Sequence, residues 1–440
     1  MGREQRRRAE REQRRRARAV PPPAATTRRP AAGPSSTPEI LLRKPGRRTE
    51  PPRPATAPPG ATARQKQGSA PARSTPPSAT LNVGSSLQAT QANCGPVEGL
   101  DPQALGVTLT FDAPRDGEPY PLTVRFVGLR AGATNPPASG DTFDVLDTIA
   151  GVVPGSGTVS LTRRIEGITP GDWTVQARSV VDPSTPDRSV PATAQVATTT
   201  GYAPLVRVRA PGVRIGAWPA LVGAGAAVAL ILQGVLASRF GLPMGQLSTL
   251  SLVACLLGLG GARLYYRLEH PQSPRTPVRV TGMCIQGFVL AAIGTIVAGA
   301  LLLGLPVGRL MDVTAPGLMA GMAIGRVGCF LGGCCAGRVT ASRWGLWSSD
   351  RRLGVRRIPT QLLESAWAVL IGSVAGTLLL VVDTEPAGAL FVAAVAAYTF
   401  GRQLIFPLRS LPRHTRYGRQ LVMLSTGIAF VGAGVTLLLR

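Results

Sequence analysis

Seven apolar stretches, each about twenty residues long, fill the part of the chain that follows Ile215. A helix of this length crosses the hydrocarbon core of a bilayer, and only a helix satisfies its own backbone in lipid without closing a barrel. Glycine and alanine are frequent within the stretches, as expected where membrane helices pack closely. The sequence therefore predicts an α-helical polytopic membrane protein, with spans at residues 217–237, 246–266, 282–304, 313–333, 361–382, 387–406 and 420–439.

Residues 1–80 form a basic tail that is rich in proline and holds more than half of the formal net charge of +25. Such a segment has too little apolar surface to offset the entropy of the chain, so we expect it to be disordered. It contains no hydrophobic core of a signal peptide. Because aromatic residues and a nucleic-acid-binding fold are missing, we expect no nucleic acid partner but contact with anionic membrane lipids. A solvated linker is the alternative.

Residues 81–200 show a β pattern. Apolar and polar residues alternate at 107–111, 122–127 and 173–180, with turn signals between them. This spacing predicts an antiparallel sandwich that resembles an immunoglobulin or fibronectin-type domain and acts as a spacer or binding module. Trp173 is expected to anchor its core.

The cysteines of the chain do not indicate a disulfide-stapled domain. Cys94 is the single cysteine of the β region, which excludes an inter-sheet disulfide, and the other five cysteines lie in the apolar half. Residues 201–215 are interpreted as a linker to a membrane domain at 216–440.

The loops between the spans alternate in charge. Those after the second, fourth and sixth spans carry most of the arginines, whereas the opposite loops are nearly neutral or acidic. The positive-inside rule would place the basic loops and the amino-terminal region in the cytoplasm. The rule has an exception here, because arginines kept for binding an anionic substrate carry no topological information.

The run at residues 325–338 ends the fourth span and combines arginine, glycine and cysteine. Arg326, Cys329 and Phe330 share one helix face. An ionisable residue at membrane depth indicates a functional site, and the planar guanidinium of arginine suits a phosphate. Glycines at 325, 328 and 332 form a strip that allows either close helix packing or an approach of the backbone to a phosphate. The alternative is a packing strip with an arginine that snorkels to the interface.

This run resembles the signature of the prolipoprotein diacylglyceryl transferases, seven-span enzymes of bacterial membranes. The family signature reads roughly Gly-Arg-x-Gly-Asn-Phe-x-Asn-x-Glu-x-x-Gly-Arg. Cys329 and Gly332 replace its two asparagines, Cys334 replaces its glutamate, and this Gly-Cys-Phe-x-x-Gly-Cys-Cys version is similar to a divergent branch of the family. The matching positions are Gly325, Arg326, Gly328, Phe330, Gly337 and Arg338.

Further segments resemble the family in the same order over residues 216–440. Residues 261–266 resemble its Gly-Ala-Arg segment, and residues 359–364 resemble its Pro-Ser-Gln-Leu-Tyr-Glu, with Ile358 in place of the preceding histidine.

Residues 398–402 resemble the Gly-Arg near the end of the sixth span, followed by Arg409, with Phe406 where the family usually has glutamate. Residues 282–287 resemble a His-Gly-Gly segment, with Gln286 in the histidine position.

The resemblance implies transfer of a diacylglyceryl group from phosphatidylglycerol to the cysteine thiol in the lipobox of a prolipoprotein. Arginines would stabilise the charge of the departing glycerol phosphate. The catalytic candidates are Arg326, Arg402, Cys329 and Gln286. The substrate-binding candidates are Arg263, Gly328, Arg338, Gln361, Glu364 and Tyr398. We expect Gln361 and Glu364 to orient the arginines, although Glu364 could equally be a structural counter-ion.

The base that takes the thiol proton is an open question in the sequence. Gln286 cannot accept a proton, and the two histidines, His270 and His414, fall in loops. A thiolate at Cys329 or Cys334 could act as base or covalent relay, or the cysteines could simply pack in the membrane. A Cys-x4-Cys-Cys spacing is poor for zinc, so the sequence predicts no metal and no cofactor.

The sequence favours a monomeric multi-pass protein of the bacterial cytoplasmic membrane. One alternative is a phospholipid-binding anchor that has lost catalysis and presents the sandwich, and another is thiol redox chemistry at Cys329, Cys334 and Cys335. The resemblance implies that the basic loops face outward, against the positive-inside rule.

Overall fold

The computed structural model describes residues 85–90, 99–180, 194–269, 283–410 and 417–439. The predictions for the tail at 1–80, for Cys94 and for His270 and His414 lie outside the described residues.

Alternating residues between positions 86 and 202 form eight antiparallel strands in two sheets. One sheet has the order β1-β2-β5-β10-β9, with β8 beside β2, and the other has the order β4-β3-β6-β7. The antiparallel β region predicted from the sequence is confirmed, while its immunoglobulin-like identity stays a prediction. The strands are β1 Ser86–Ala89, β2 Gln103–Asp112, β3 Tyr120–Arg130, β4 Thr142–Val152, β5 Thr158–Glu166, β6 Asp172–Val180, β7 Ala194–Thr199, β8 Gly201–Tyr202, β9 Leu346–Ser349 and β10 Leu353–Arg357.

The core of the β region contains apolar side chains from both sheets. Val107 and Leu161 come from the first sheet, and Val124 and Trp173 from the second. Trp173 is 1% exposed, and its indole nitrogen donates to the carbonyl oxygen of Thr169 at 3.1 Å. Its predicted role as a core anchor is therefore confirmed.

Seven helices of the described chain are long and apolar enough to cross a membrane, which confirms the predicted spans. The most buried of them is α5, as expected for a helix at the centre of the membrane domain. A short helix, α1, precedes them in the segment interpreted as a linker. The helices are α1 Ala203–Val208, α2 Ala217–Arg239, α3 Met244–Glu269, α4 Ile285–Leu302, α5 Val307–Leu331, α6 Thr360–Val381, α7 Ala389–Ile405 and α8 Gly418–Leu438, with a 3-10 turn at Phe406–Leu408.

The loop between α5 and α6 completes the first sheet. Its strand β10 pairs antiparallel with β5, through Leu353 opposite Leu161 and Gly354 opposite Ser160. Leu353 and Val355 lie in the core of the β region. The first sheet therefore contains strands of the β region and a strand from the loop between two membrane helices.

Arginines reinforce this junction. Arg352 forms an ion pair with Asp147 and donates to the carbonyl oxygen of Thr148. Arg164 of β5 donates to the carbonyl oxygens of Val206 and Arg351, so it links the strand both to α1 and to the loop.

Candidate active site

Glu364 of α6 bridges Arg326 and Arg409 near the end of α5. The run at residues 325–338, which we call the signature run, lies there. Arg326 Nε is 2.8 Å from Glu364 Oε2, and Arg409 Nη1 is 3.4 Å from Glu364 Oε1. The exposed fractions of Arg326, Glu364 and Arg409 are 9%, 1% and 4%. Because breaking a buried pair leaves an uncompensated charge, this carboxylate holds both guanidinium groups in place.

Two residues of α7 complete the charge cluster. The hydroxyl of Tyr398, itself buried, lies beside the Arg326 guanidinium. Arg402 lies one turn further along α7, where its charge interacts with those of Arg326, Glu364 and Arg409. Two guanidinium groups pair with the carboxylate of Glu364 and that of Arg402 lies within range of its charge, so three positive charges face one negative charge and two are left in excess. We call Arg326, Glu364, Arg402 and Arg409 the arginine cluster.

The glycine strip of α5 packs against α2. A Cβ atom at Gly328 would lie 3.1 Å from Leu221 Cβ, and one at Gly332 would lie 3.1 Å from Trp218 Cβ. The structure therefore uses the strip for close helix packing, one of the two uses expected from the sequence. A contact between Gly328 and substrate stays a prediction.

The three cysteines of the signature run converge after the helix ends. Their Sγ atoms all lie within 4.8 Å of one another. Cys329 is buried in the last turn of α5, and its carbonyl oxygen accepts the Cys334 N–H at 3.0 Å. Cys335 has a left-handed φ of 55°, which is rare for a residue with a side chain and persists only where surrounding contacts enforce it. We call Cys329, Cys334 and Cys335 the thiol cluster.

Contacts from α6 and from the segment after α7 fix the loop that carries these cysteines. Gln361 Nε2 donates to the Cys334 carbonyl oxygen at 2.9 Å, and Ser410 donates from its N–H and its hydroxyl to the Ala336 carbonyl oxygen at 3.1 and 2.9 Å. A Cβ atom at Gly337 would lie 2.0 Å from the Ile358 carbonyl oxygen, so only glycine fits there. The loop is consequently held on two sides.

The structure also bears on which thiol carries charge. Hydrogen bonds with Cys329 and Cys334, together with the charges of Arg409 and Arg326, lower the pKa of the Cys335 thiol. The thiolate at Cys329 or Cys334 that the sequence suggested stays a prediction.

The predicted site residues fall into two groups. Arg326, Arg402, Glu364 and Tyr398 lie in or against the arginine cluster, and Gln361 and Cys329 lie at the thiol cluster.

Arg263, Arg338 and Gln286 are exposed, and in the part of the chain that the structure describes no contact joins them to Glu364. Gln286 instead accepts a hydrogen bond from the Cys284 thiol at 2.6 Å. Gln361 binds a backbone carbonyl rather than an arginine, so among the two expected orienting residues Glu364 alone contacts the guanidinium groups.

Arg409 is the site residue that the sequence did not identify. The resemblance places Arg409 after the Gly-Arg segment of the sixth span, but nothing in its sequence neighbourhood marks it as buried or as a candidate site residue. Arg409 follows the 3-10 turn at Phe406–Leu408, and its ion pair with Glu364 brings this segment against α6. Arg357 of β10 is also buried, and this burial lowers the pKa of its guanidinium. The carboxylate of Asp350, whose Oδ2 lies 2.7 Å from Arg357 Nη2, acts in the opposite direction and raises that pKa.

Among the described residues, seven apolar helices and a buried arginine cluster at one end of them define a multi-pass membrane protein with an excess of positive charge inside it. Comparison with known proteins gives the family. A family model described as prolipoprotein diacylglyceryl transferase matches residues 206–439, more than half of the chain. This chain belongs to the prolipoprotein diacylglyceryl transferase family, a family of transferases.

Relatives in several bacteria are similar over the same half of the chain. One from Cutibacterium acnes, named phosphatidylglycerol–prolipoprotein diacylglyceryl transferase, is 34% identical over 234 residues, which cover 49% of this chain and 77% of the relative. One of the same name from Nostoc is 30% identical over 233 residues, covering 49% and 82%. A second such transferase of Streptomyces coelicolor is 32% identical over 207 residues, covering 43% and 64%.

Proposed function

We propose that this chain transfers the diacylglyceryl group of phosphatidylglycerol to the lipobox cysteine of a prolipoprotein. The family supports the reaction, since the relatives are named for this donor and this acceptor. The observation that carries the proposal for this chain is the arginine cluster, a buried group of charges with two positive charges in excess.

The arginine cluster suits the charge that develops during transfer. The thiol sulfur forms a bond to the glyceryl carbon, the bond from that carbon to the phosphate oxygen breaks, and glycerol phosphate departs with one more negative charge. Fixed guanidinium groups in a site of low dielectric stabilise that charge without reorganisation. Arg326, Arg402 and Arg409 would contact the phosphate, and Glu364 would position Arg326 and Arg409.

The setting of the reaction belongs to the same proposal. The chain would act as a monomer in the bacterial cytoplasmic membrane, with the basic tail at 1–80 against anionic lipid. The sandwich would face the same side of the membrane as the thiol cluster, because β10 follows the cysteine loop and pairs with β5.

A second candidate is a phospholipid-binding anchor without turnover. Gln286 stands where the family has a histidine, and its exposed side chain binds Cys284 rather than a residue of the arginine cluster. Retained binding of phosphatidylglycerol without product would favour this candidate.

Complementation tests the proposal. Cells depleted of their own transferase should regain lipid labelling of a lipobox precursor when they express this chain, and Arg326→Ala and Arg402→Ala should abolish the labelling. Arg239→Ala, at the exposed end of α2, is the matched control and should label normally. Failure of the well-folded wild-type chain to restore labelling would rule the proposal out.

A further inference from the structure

The thiol cluster has the ligand set of a metal site that keeps one position open. Cys329, Cys334 and Cys335 bring three sulfur atoms within 4.8 Å of one another. Zinc bound to thiolates has Zn–S distances near 2.3 Å, which place the sulfurs of a tetrahedron about 3.8 Å apart. The cluster therefore needs a contraction of about 1 Å at most to hold the ion.

The surroundings of the thiol cluster suggest a preformed site. Gln361 and Ser410 hold the loop from two sides, and Cys335 keeps a left-handed conformation that costs about 1 kcal/mol or more. Cys329 is buried, whereas Cys334 and Cys335 are partly exposed. A further ligand would therefore approach the cluster from the side of Cys334 and Cys335.

We propose that Cys329, Cys334 and Cys335 bind one zinc ion whose fourth position takes the lipobox cysteine of the prolipoprotein. The inference rests on the proposed transfer reaction. It departs from the prediction, made from the cysteine spacing, that the chain holds no metal. The spacing does not reveal the cluster, because the turn after α5 brings Cys334 and Cys335 back beside Cys329.

Such a site would supply what the protein otherwise lacks. The reaction needs the acceptor thiol as a thiolate, and Gln286 cannot take its proton. A thiol that binds zinc is deprotonated as it binds. Three protein ligands and one open position are also the pattern of catalytic rather than structural zinc.

The charges of the site balance with zinc in place. A zinc ion with three thiolates carries one negative charge, and the phosphodiester of phosphatidylglycerol carries another. Together they match the two positive charges that the arginine cluster leaves free, and the charges of Arg326 and Arg409 act directly on the thiol cluster. Before the acceptor thiolate binds, a buried site of this composition is neutral, which lowers the cost of keeping its charges out of water. The acceptor thiolate then adds one negative charge.

The step conserves atoms and electrons. The acceptor thiol releases its proton to solvent as its sulfur joins the zinc. That sulfur donates an electron pair to the glyceryl carbon, and the bond between the carbon and the phosphate oxygen breaks with its electron pair on glycerol phosphate. The product thioether is neutral and leaves the zinc, whose oxidation state does not change.

Metal content tests the first half of the proposal. The full chain, purified in detergent without a polyhistidine tag and supplied with zinc, should contain zinc in equimolar amount. Cys329→Ser, Cys334→Ser and Cys335→Ser should each lower zinc affinity and transfer to a lipobox peptide by at least about tenfold. Cys255→Ser, in α3 and away from the cluster, should retain both. Bound copper in place of zinc, or a Cys329–Cys334 disulfide, would overturn the proposal.

Cobalt(II) in place of zinc tests the open position without turnover. The visible spectrum should change when a lipobox peptide is added and stay unchanged with the serine analogue of that peptide. An unchanged spectrum with the cysteine peptide would overturn the proposed fourth ligand. Transfer by a zinc-free chain would refute the zinc site but leave the proposed function standing. A spectral response without transfer to peptide would support the metal site and refute the transferase.

Discussion

At the scale of single residues, Glu364 is central to the site because it compensates two buried cations at once. Its oxygens lie 2.8 Å from Arg326 and 3.4 Å from Arg409, and it is 1% exposed. The carboxylate therefore has a structural role, and in the proposed function it also positions the arginines for a phosphate. Both uses that the sequence allowed for this residue are compatible with its contacts.

Replacing Glu364 tests this dual role. Glu364→Gln should lower the free energy of unfolding by about 3–5 kcal/mol, because it leaves Arg326 and Arg409 buried without their partner. Thermal unfolding in detergent and lipid labelling of a precursor would measure the two effects. Glu118→Gln changes an exposed glutamate of the β region and should alter neither. Unchanged stability of Glu364→Gln would show that the ion pairs do not hold the cluster together.

At the scale of elements, the position of Arg326 depends on how closely α5 packs on α2. A Cβ atom at Gly317 would lie 2.5 Å from the Ala229 carbonyl oxygen, and one at Gly225 would lie 2.7 Å from the Gly321 carbonyl oxygen. The helices thus touch through their backbones, as small residues allow in membranes. A side chain at this crossing would push α5 away from its neighbours.

A bulky substitution at the crossing should therefore act on the site from a distance. Gly317→Leu should destabilise the protein by about 1–3 kcal/mol or more and reduce transfer, because the helices cannot close. Gly294→Leu is the matched control, since a Cβ atom at Gly294 meets nothing within 4 Å. Equal melting temperatures for the two variants would contradict the packing described for α2 and α5.

The limits of prediction are also clearest for elements. The spans were predictable to within a few residues, apart from the start of α5, because a run of about twenty apolar residues has one stable form in lipid. Strand β10 was not predictable from the sequence, because it is a short strand in a basic loop and its partner β5 lies far away in sequence. Arg409 and the thiol cluster were hidden for the same reason. Their positions depend on turns after α7 and α5 rather than on any periodicity.

At the scale of the whole molecule, the pairing of β10 with β5 joins the sandwich to the loop between membrane helices α5 and α6. Leu353 and Val355 lie in its core, and Arg352 pairs with Asp147 across the junction. Removing the sandwich would expose these apolar side chains and release the loop that begins beside the cysteines. The sandwich is thus more than a spacer.

Truncation tests this dependence. A chain without residues 1–80 should keep its transfer activity, since no residue of the arginine cluster or the thiol cluster lies there. A chain without residues 1–200 should lose activity although every residue of the arginine and thiol clusters remains. Normal labelling by the shorter chain would show that the membrane domain works alone.

The same contacts bear on which way the protein faces. Arg357 and Arg409 are buried in ion pairs, and Arg351 Nε donates to the Gly332 carbonyl oxygen at 2.8 Å. These arginines have structural partners, so they weaken the case that the basic loops lie in the cytoplasm. The proposed acceptor, an exported precursor, favours an outward orientation.

Thiol labelling of intact cells measures the orientation. Arg343→Cys, in the exposed part of the loop after α5, should react with a membrane-impermeant maleimide from outside the cell. Arg239→Cys, at the opposite end of the helices, should react only after permeabilisation. The reverse pattern would support the positive-inside assignment.

Reconstitution of the purified chain tests the central claim, that the arginine cluster supports diacylglyceryl transfer. Vesicles that contain phosphatidylglycerol should give a lipidated lipobox peptide and an equal amount of glycerol phosphate, and vesicles without this lipid should give neither. Arg326→Ala should lower the rate by about a hundredfold or more, the usual cost of removing a group that stabilises developing charge. An inactive, folded wild-type chain, or an Arg326→Ala variant with the wild-type rate, would contradict the claim.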